Sequence, residues 1–395
     1  MPKVVLVRCE SYESDAVLAA VRRVFDELGG ARRFVRPGER ILLKPNLVVA
    51  ESPERCATTH PAVFTAVATV LMEAGARLSY GDSPAIGNLR GAARKSGLKA
   101  AADRLGVSLA DFQTGREVYF HGGRQNRKFV LARGVLDCDG LISLPKLKTH
   151  GLEKMTGAIK NQFGCVPGVL KAEYHVKLPD ASDFARMLVD LDRLVHPRLY
   201  VMDGIMAMEG NGPRSGNSRV MNLLAASRDP VALDATVCRL IKLNPEIVPT
   251  IRWGRQHGAG TDRIEEIRLA GDPPQGFVQA DFDVDRSPVK PFGGKWIQRH
   301  LNDHLVARPA ILPQRCIRCG LCVQMCPTEP KAVNWLRGDQ NRPPVHDYRV
   351  CIRCYCCQEI CPEGAIVLEV PLLRKVLNWA AAGLTATQRL GRPNR

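Results

Sequence analysis

The feature that most constrains this 395-residue chain is a cysteine pattern written twice, 35 residues apart. Cys316-Ile-Arg-Cys319-Gly-Leu-Cys322-Val-Gln-Met-Cys326-Pro327 returns as Cys351-Ile-Arg-Cys354-Tyr-Cys-Cys357-Gln-Glu-Ile-Cys361-Pro362, and both copies read C-x2-C-x2-C-x3-C-P. In such a motif three thiolates spaced by two residues wrap one iron–sulfur cubane, and the fourth, beyond a turn that proline enforces, reaches a second. The spacing predicts two 4Fe-4S clusters with interleaved ligands. Cys316, Cys319, Cys322 and Cys361 belong to one cluster, and Cys351, Cys354, Cys357 and Cys326 to the other. Ligands this close leave short loops whose backbone N–H groups point at sulfur and tune the reduction potential. Zinc also uses C-x2-C pairs, but it has no need of a third cysteine and a Cys-Pro in each half. The C-x3-C-x2-C order of radical S-adenosylmethionine chemistry does not occur. Cys356 breaks the spacing beside Cys357 and reads as a non-ligand, while Cys9, Cys56, Cys138 and Cys238 read as small buried hydrophobes.

Fourteen cysteines with nine crowded into residues 316 to 361 point to metal rather than disulfides, hence to a reducing compartment. The apolar run Ala62 to Met72 is interrupted by Thr65 and Thr69 and stops at Glu73, short of the roughly 20 residues a membrane span requires. The apolar residues Val4 to Val7 are too few for a signal peptide. A cytoplasmic protein is expected. The formal charge of +16 falls to roughly +12 once eight thiolates and two oxidised cluster cores are counted. The remaining basic excess lies outside the cysteine-rich module, which itself comes to about −3 on the same reckoning.

The length exceeds the roughly 250 to 300 residues at which a single core stops growing, so at least two domains are expected. Residues 1–270 alternate strand-like and helix-like patterns: Val4 to Val7, Ala16 to Leu28, Ile41 to Leu43 and Ala62 to Ala74, then Leu78 to Tyr80 and Leu141 to Leu144 as strands running into polar loops. Phe184 to Leu194 reads as a helix, Leu199 to Met202 and Leu223 to Ala226 as strands, and Asp229 to Leu243 as a helix capped near Asp229. This alternation predicts an α/β class with a large layered N-terminal domain. Residues 271–312 read as a linker wrapping back over that domain, and 313–370 as a small α+β ferredoxin-like domain for the two 4Fe-4S clusters. Residues 371–395 read as a basic amphipathic tail that docks on the protein, with an anionic membrane surface as the second reading.

The module resembles a bacterial-type two-cluster ferredoxin, including Gly364-Ala365-Ile366 after the second Cys-Pro. It departs from that family in the first half, where Thr328-Glu329-Pro330-Lys331-Ala332-Val333 carries an extra residue, and in the loop inserted between the half-motifs. The N-terminal domain resembles domain-of-unknown-function family 362. The matching segments are Leu43-Lys44-Pro45-Asn46, Thr59-His60-Pro61, Gly81-Asp82-Ser83-Pro84, Leu144 to His150, Thr156 to Asn161, and Asp203-Gly204 through Glu209-Gly210-Asn211-Gly212-Pro213. That resemblance implies a fusion to such ferredoxin modules and assigns no reaction.

The residues themselves say more. Lys146, Lys148, His150, Lys154, Lys160, Lys171, His175 and Lys177 crowd between Leu144 and Lys177 against only Glu153 and Glu173, a balance that favours an anionic ligand. Lys146, His150 and Lys160 are the candidate catalytic residues, His150 as a proton donor near neutral pH. Lys44, Asn46, Lys148, Asn161, Asp203, Glu209 and Asn211 are the candidate substrate-binding residues, with Asp203, Glu209 and Asn211 expected at a strand-to-loop exit. Gly210 to Gly216 has the wrong spacing for a dinucleotide fingerprint, and no phosphate loop, H-E-x-x-H or G-x-S-x-G occurs. Aromatic content of 6% and the lack of a recognition motif disfavour nucleic acid. The expectation is an iron–sulfur oxidoreductase that takes electrons from an external donor protein and passes them singly to an anionic small molecule. The alternative is an electron-transfer or assembly subunit whose large domain binds a partner protein. A third reading makes the clusters structural.

Overall fold

Strand β1 (Lys3–Arg8) buries four consecutive apolar side chains, Val4 to Val7, as a strand covered on both faces must. In this computed structural model, which describes residues 1–168, 170–287 and 306–372, it is followed by β2 (Arg40–Pro45), β3 (Arg77–Tyr80), β4 (Ser108–Leu109), β5 (Gly115–Tyr119), β6 (Lys128–Ala132), β7 (Gly140–Leu144), β8 (Lys146–His150), β9 (Lys154–Thr156), β10 (Leu199–Glu209), β11 (Asn217–Ser227) and β12 (Arg268–Gly271). The main sheet runs β12-β1-β11-β10-β7-β2-β3-β4, with β8 pairing β10 and β9 pairing β8. β5 and β6 form a separate antiparallel pair. From β10 through β7, β2 and β3 to β4 the sheet is parallel, and β11 runs antiparallel to both of its neighbours.

Amphipathic helices cover the sheet. Helix Ser14–Glu27 buries Val17, Ala20, Val21, Val24 and Phe25, one stripe at helical spacing. Helix Pro61–Glu73 starts with proline at its first turn, and His60 Nδ1 accepts from Ala62 N–H as its cap. The helix read at Asp229 runs Pro230–Leu240, and Asp229 caps it by accepting from Ala232 N–H at 2.8 Å.

Two expectations need correction. Leu144 does not run into a polar loop, because the chain resumes at once as β8. Pro145 offers no N–H, but its carbonyl accepts from Asp203 N–H at 2.9 Å, so β10 pairs with β7 at its start and with β8 further along. Asp203 likewise lies inside β10 rather than at its exit, whereas Glu209 is the last residue of that strand and Asn211 follows it. The strand continues past a register shift between Gly204 and Met206.

The chain divides into two units, Met1–Asp285 and Arg286–Arg395. Residues 272–285, read from sequence as the start of the linker, fall in the first: Asp272 accepts from Arg8 N–H, and Asp283 N–H donates to Glu209. Residues 288–305 of that linker, and the tail from 373 onward, lie outside the described residues, and the linker's last residues are not linker but carry a strand of the second unit, Arg308–Ile311. In the second unit β13 (Arg308–Ile311) pairs antiparallel with β16 (Ile366–Glu369), and β14 (Val333–Asn334) with β15 (Val345–His346). Short helices at Leu321–Gln324 and Cys356–Ile360 follow the second-cysteine turns and carry the third cysteines, Cys322 and Cys357.

Candidate redox module and buried lysine network

In the second unit the two halves of the cysteine repeat adopt the same backbone. Arg318 and Arg353, each one residue before the second cysteine, have φ of 58° and 59°, and Gly320 and Tyr355, each one residue after it, have φ of 74° and 61°. Three of these four are not glycine, so left-handed backbone recurs at matched positions despite a cost of about 1–2 kcal/mol per residue. Such turns aim successive N–H groups at one point. Cys316, Cys319, Cys322 and Cys361 line a single cavity with Ile311, Ile317 and Leu321. The electrostatic neighbours of Cys357 include Cys354, Cys351 and Cys326. Cys361 Sγ accepts from Ala365 N–H at 3.2 Å. Eight thiols in two converging sets, with backbone donors turned toward sulfur, fit cubane ligation. Cys356 lies among them, and its thiol is pushed well up by its hydrogen bond to Cys354 and by burial.

In the first unit Lys44, Lys146, Lys148 and Lys154 are buried. Lys44, at the end of β2, places Nζ 3.0 Å from Asp82 Oδ1 and donates to Asn161 Oδ1 at 3.3 Å. Asn46 Nδ2 donates to the same Asn161 oxygen at 3.0 Å, and Lys148 Nζ to Asn46 Oδ1 at 2.7 Å and the Ala57 carbonyl at 2.6 Å. Asn161 Nδ2 closes the ring on the Lys44 carbonyl and on Ser143 Oγ. Lys44, Asn46, Lys148 and Asn161 are thus one connected set. Asp82 is itself pinned by Leu47 N–H and Ser83 N–H at 2.6 and 2.8 Å. Gly164 permits its approach, since a Cβ there would meet Asp82 Oδ1 at 1.6 Å. Lys171 donates to the Ser83 and Pro84 carbonyls, and burial pushes its amine down to about 8 although Asp82 opposes the shift; Lys44 and Lys160 are its other charged neighbours. Lys171 thus has two ammonium groups and one carboxylate, the one that pairs with Lys44, as charged neighbours. Lys160 is half-buried with Nζ 5.9 Å from the centre of the Phe163 ring, outside the hydrogen-bonded set.

A second cluster forms where β8 meets β10. Lys146 Nζ donates to Asp203 Oδ2 at 2.9 Å and to Tyr12 Oη at 2.8 Å, while Tyr12 donates to Asp203 Oδ1 at 2.8 Å. His60 N–H also donates to Asp203, and the His60 and Tyr12 rings stack at 3.6 Å and 14°. Burial pushes His60 down to about 4, so the ring is neutral at pH 7; with Nδ1 accepting from Ala62, its hydrogen sits on Nε2. Burial and the Asp203 charge push the Tyr12 hydroxyl far up. His150 is buried on β8, where Nδ1 accepts from Leu152 and Glu153 N–H. Glu209 lies toward the other end of β10, faces Arg219 at 3.8 Å and is outside both sets; Asn211 is in the turn that follows.

Residues 41–239 match the family described as Domain of unknown function (DUF362), which is half of the chain. The chain belongs to the DUF362 family. Residues 308–362 match the 4Fe-4S dicluster domain, so this DUF362 protein binds 4Fe-4S clusters, the cysteine spacing fits two, and the module has an iron–sulfur electron-transfer role. A thylakoid-associated protein of Synechocystis sp. is 42% identical over 247 residues, which are 62% of this chain and 76% of the relative. Among solved structures, the lactate racemase apoprotein from Thermoanaerobacterium thermosaccharolyticum aligns at a TM-score of 0.39 and 11% identity, covering 60% of this chain and 56% of that one. A protein from Thermotoga maritima aligns at 0.34 and 9%, covering 59% and 60%. The chain spans less than two thirds of either structure. Among the described residues no helix is long and apolar enough to cross a membrane.

Sequence reasoning missed four participants of the DUF362 domain. Asp82 and His60 stood in the matched segments without a role, and an acid just after a strand is the signal that marks Asp82. Lys171 was one lysine among several. Tyr12 carried no signal, since it follows β1 and meets Asp203 only across 191 residues of chain.

Proposed function

We propose that this DUF362 protein is a cytoplasmic iron–sulfur oxidoreductase that takes electrons from an external donor protein and reduces an anionic small molecule bound in the N-terminal domain. When bound, the two clusters supply electrons one at a time. Cys316, Cys319, Cys322 and Cys361 hold one of them, and Cys326, Cys351, Cys354 and Cys357 the other. The observation that carries the substrate class is the placing of Lys44, Lys160 and Lys171 within electrostatic reach of one another, with Asp82, which ion-pairs with Lys44, as the carboxylate nearest Lys171, so positive charge exceeds negative there. Lys160 is the anion-facing member, because Lys44 is engaged by Asp82, Lys148 by Asn46 and Ala57, and Lys171, which adds its charge, by the Ser83 and Pro84 carbonyls. Asn46 and Asn161 orient the lysines. Tyr12, Lys146 and Asp203 form a chain of hydrogen bonds along which a proton moves when charge arrives, with His150 as a further donor near neutral pH.

Anaerobic protein reduced with dithionite and freed of excess reductant tests this reading against a panel of carboxylates and phosphate esters. Reoxidation of the visible absorbance by at least one anion, slowed at least tenfold in K160M or K171M, is the expected outcome. Clusters that stay reduced with every anion count against it.

The second reading is an electron-transfer or assembly subunit that docks on a partner. It is favoured by the thylakoid association in the name of the Synechocystis relative, and the basic tail offers contact with an anionic membrane surface. The module's mild charge of about −3 weighs toward an internal relay, because free carriers are commonly strongly acidic. Recovery of one stoichiometric redox partner from an anaerobic pull-down, with no anion turned over, supports docking instead.

A further inference from the structure

The two halves of the repeat differ in the side chains that address their sulfurs. In the second half Ala365 N–H donates directly to Cys361 Sγ. In the first half, where two extra residues precede the matching alanine, Ala332 N–H donates to Thr328 Oγ1 at 2.9 Å instead. Thr328 Oγ1 lies 3.3 Å from Cys326 Sγ, and a metal-bound thiolate has no hydrogen to give, so the hydroxyl donates to the sulfur. The inserted segment between the half-motifs supplies β15, and with it His346, whose Nε2 lies 3.5 Å from Cys357 Sγ. The His346 ring stacks on Tyr348 at 5.8 Å and 7°, which holds the nitrogen in place.

We propose that Thr328 and His346 are potential-setting residues acting on one and the same cluster, the one ligated by Cys326, Cys351, Cys354 and Cys357. A donor on a ligating sulfur stabilises the added negative charge of the reduced cluster and so raises its reduction potential. Thr328 addresses a ligand from the first half-motif and His346 one from the second. They converge on one cluster only because ligation is interleaved; ligation of each cluster by its own half would send them to different clusters. The features that depart from a minimal two-cluster ferredoxin, extra residues before Ala332 and an inserted loop, thus act as a device that tunes one of its two clusters.

The test is a redox titration of the cluster-loaded full chain with dithionite, followed by electron paramagnetic resonance, on the wild type, T328V, H346F and H346Q. T328V and H346F are each expected to lower the same one of the two potentials by a tenfold change in the one-electron equilibrium, about 59 mV, and to leave the other in place. H346Q restores an N–H and is expected to recover part of the shift. The proposal is overturned if H346F leaves both potentials unchanged, or if T328V and H346F move different clusters. Pulsed resonance on reduced protein carrying 15N-histidine reads the His346 contact without altering its fold: a nitrogen coupling present in the wild type and lost in H346F is expected, and its absence in the wild type sinks the idea. Neither readout involves a substrate, so failure here leaves the proposed reduction of an anion standing, and failure to find that anion leaves this assignment standing.

Discussion

In the N-terminal domain, Lys44 and Lys146 are buried against Asp82 and Asp203, partners supplied by the loop after β3 and by β10, and the surrounding core is apolar and extensive. In the module, the core around Ala332, Val333 and Ile366 includes Cys326 and Cys357 themselves. One region builds its polar chemistry on a scaffold that stands without it. The other uses its polar chemistry as the scaffold, because strands of two to four residues bury too little surface to order themselves. Charge placed in the first region is therefore a cost that ion pairing offsets, whereas ligand thiolates in the second are the reason the chain folds there.

The largest effect that separates the two regions is loss of the clusters. Stripping iron and sulfide is expected to abolish cooperative melting of the module and to leave the N-terminal transition where it was. Calorimetry in which both transitions vanish together breaks the comparison.

Next comes the ion pair at β8 and β10. K146M leaves Asp203 buried with one donor fewer, which is expected to cost about 3–5 kcal/mol in urea denaturation of the N-terminal transition. The double replacement K146M/D203L is expected to recover much of that loss, since two apolar side chains leave no orphaned charge. A loss below 1 kcal/mol in K146M means that the pair is hydrated and the burial picture is wrong.

A smaller effect is visible only against pH. Burial pushes Asp192 up to about 8, although the hydrogen bond from Tyr200 Oη at 2.6 Å opposes the shift. Its folded value lies above its ordinary value, so its contribution to stability is complete below about pH 4 and is lost as pH rises through 8. D192N cannot titrate, and its melting temperature is expected to fall less than that of the wild type between pH 5 and pH 8. Parallel curves for the two proteins place the charge elsewhere. The smallest effect expected is at Asp229, where replacement by alanine removes the cap on Ala232 N–H and costs about 1 kcal/mol.

The same contrast explains what could be read from the residues alone. A cluster module obeys a local spacing rule, so the pattern from Cys316 to Cys361 discloses the cofactor without a fold. The α/β alternation is equally local, and β1, β2 and the helix at Asp229 follow from it. The lysine network is not local. Lys44, Asn46, Lys148 and Asn161 were legible as candidates because they flank strand ends. Their burial was not, because the strand β8 hides behind Pro145 in a lysine-rich segment that reads as loop. Tyr12, His60 and Lys171 join only through tertiary contacts, and Glu209 was drawn in by its neighbours in sequence although its side chain faces Arg219.

Mössbauer spectroscopy of 57Fe-labelled protein prepared without oxygen tests the cubane ligation most directly. Iron and labile sulfide equivalent to two 4Fe-4S clusters per chain, both cubane in the oxidised state and both reducible by one electron, are expected. Colourless protein, zinc in place of iron, or a single cluster per chain contradicts the account.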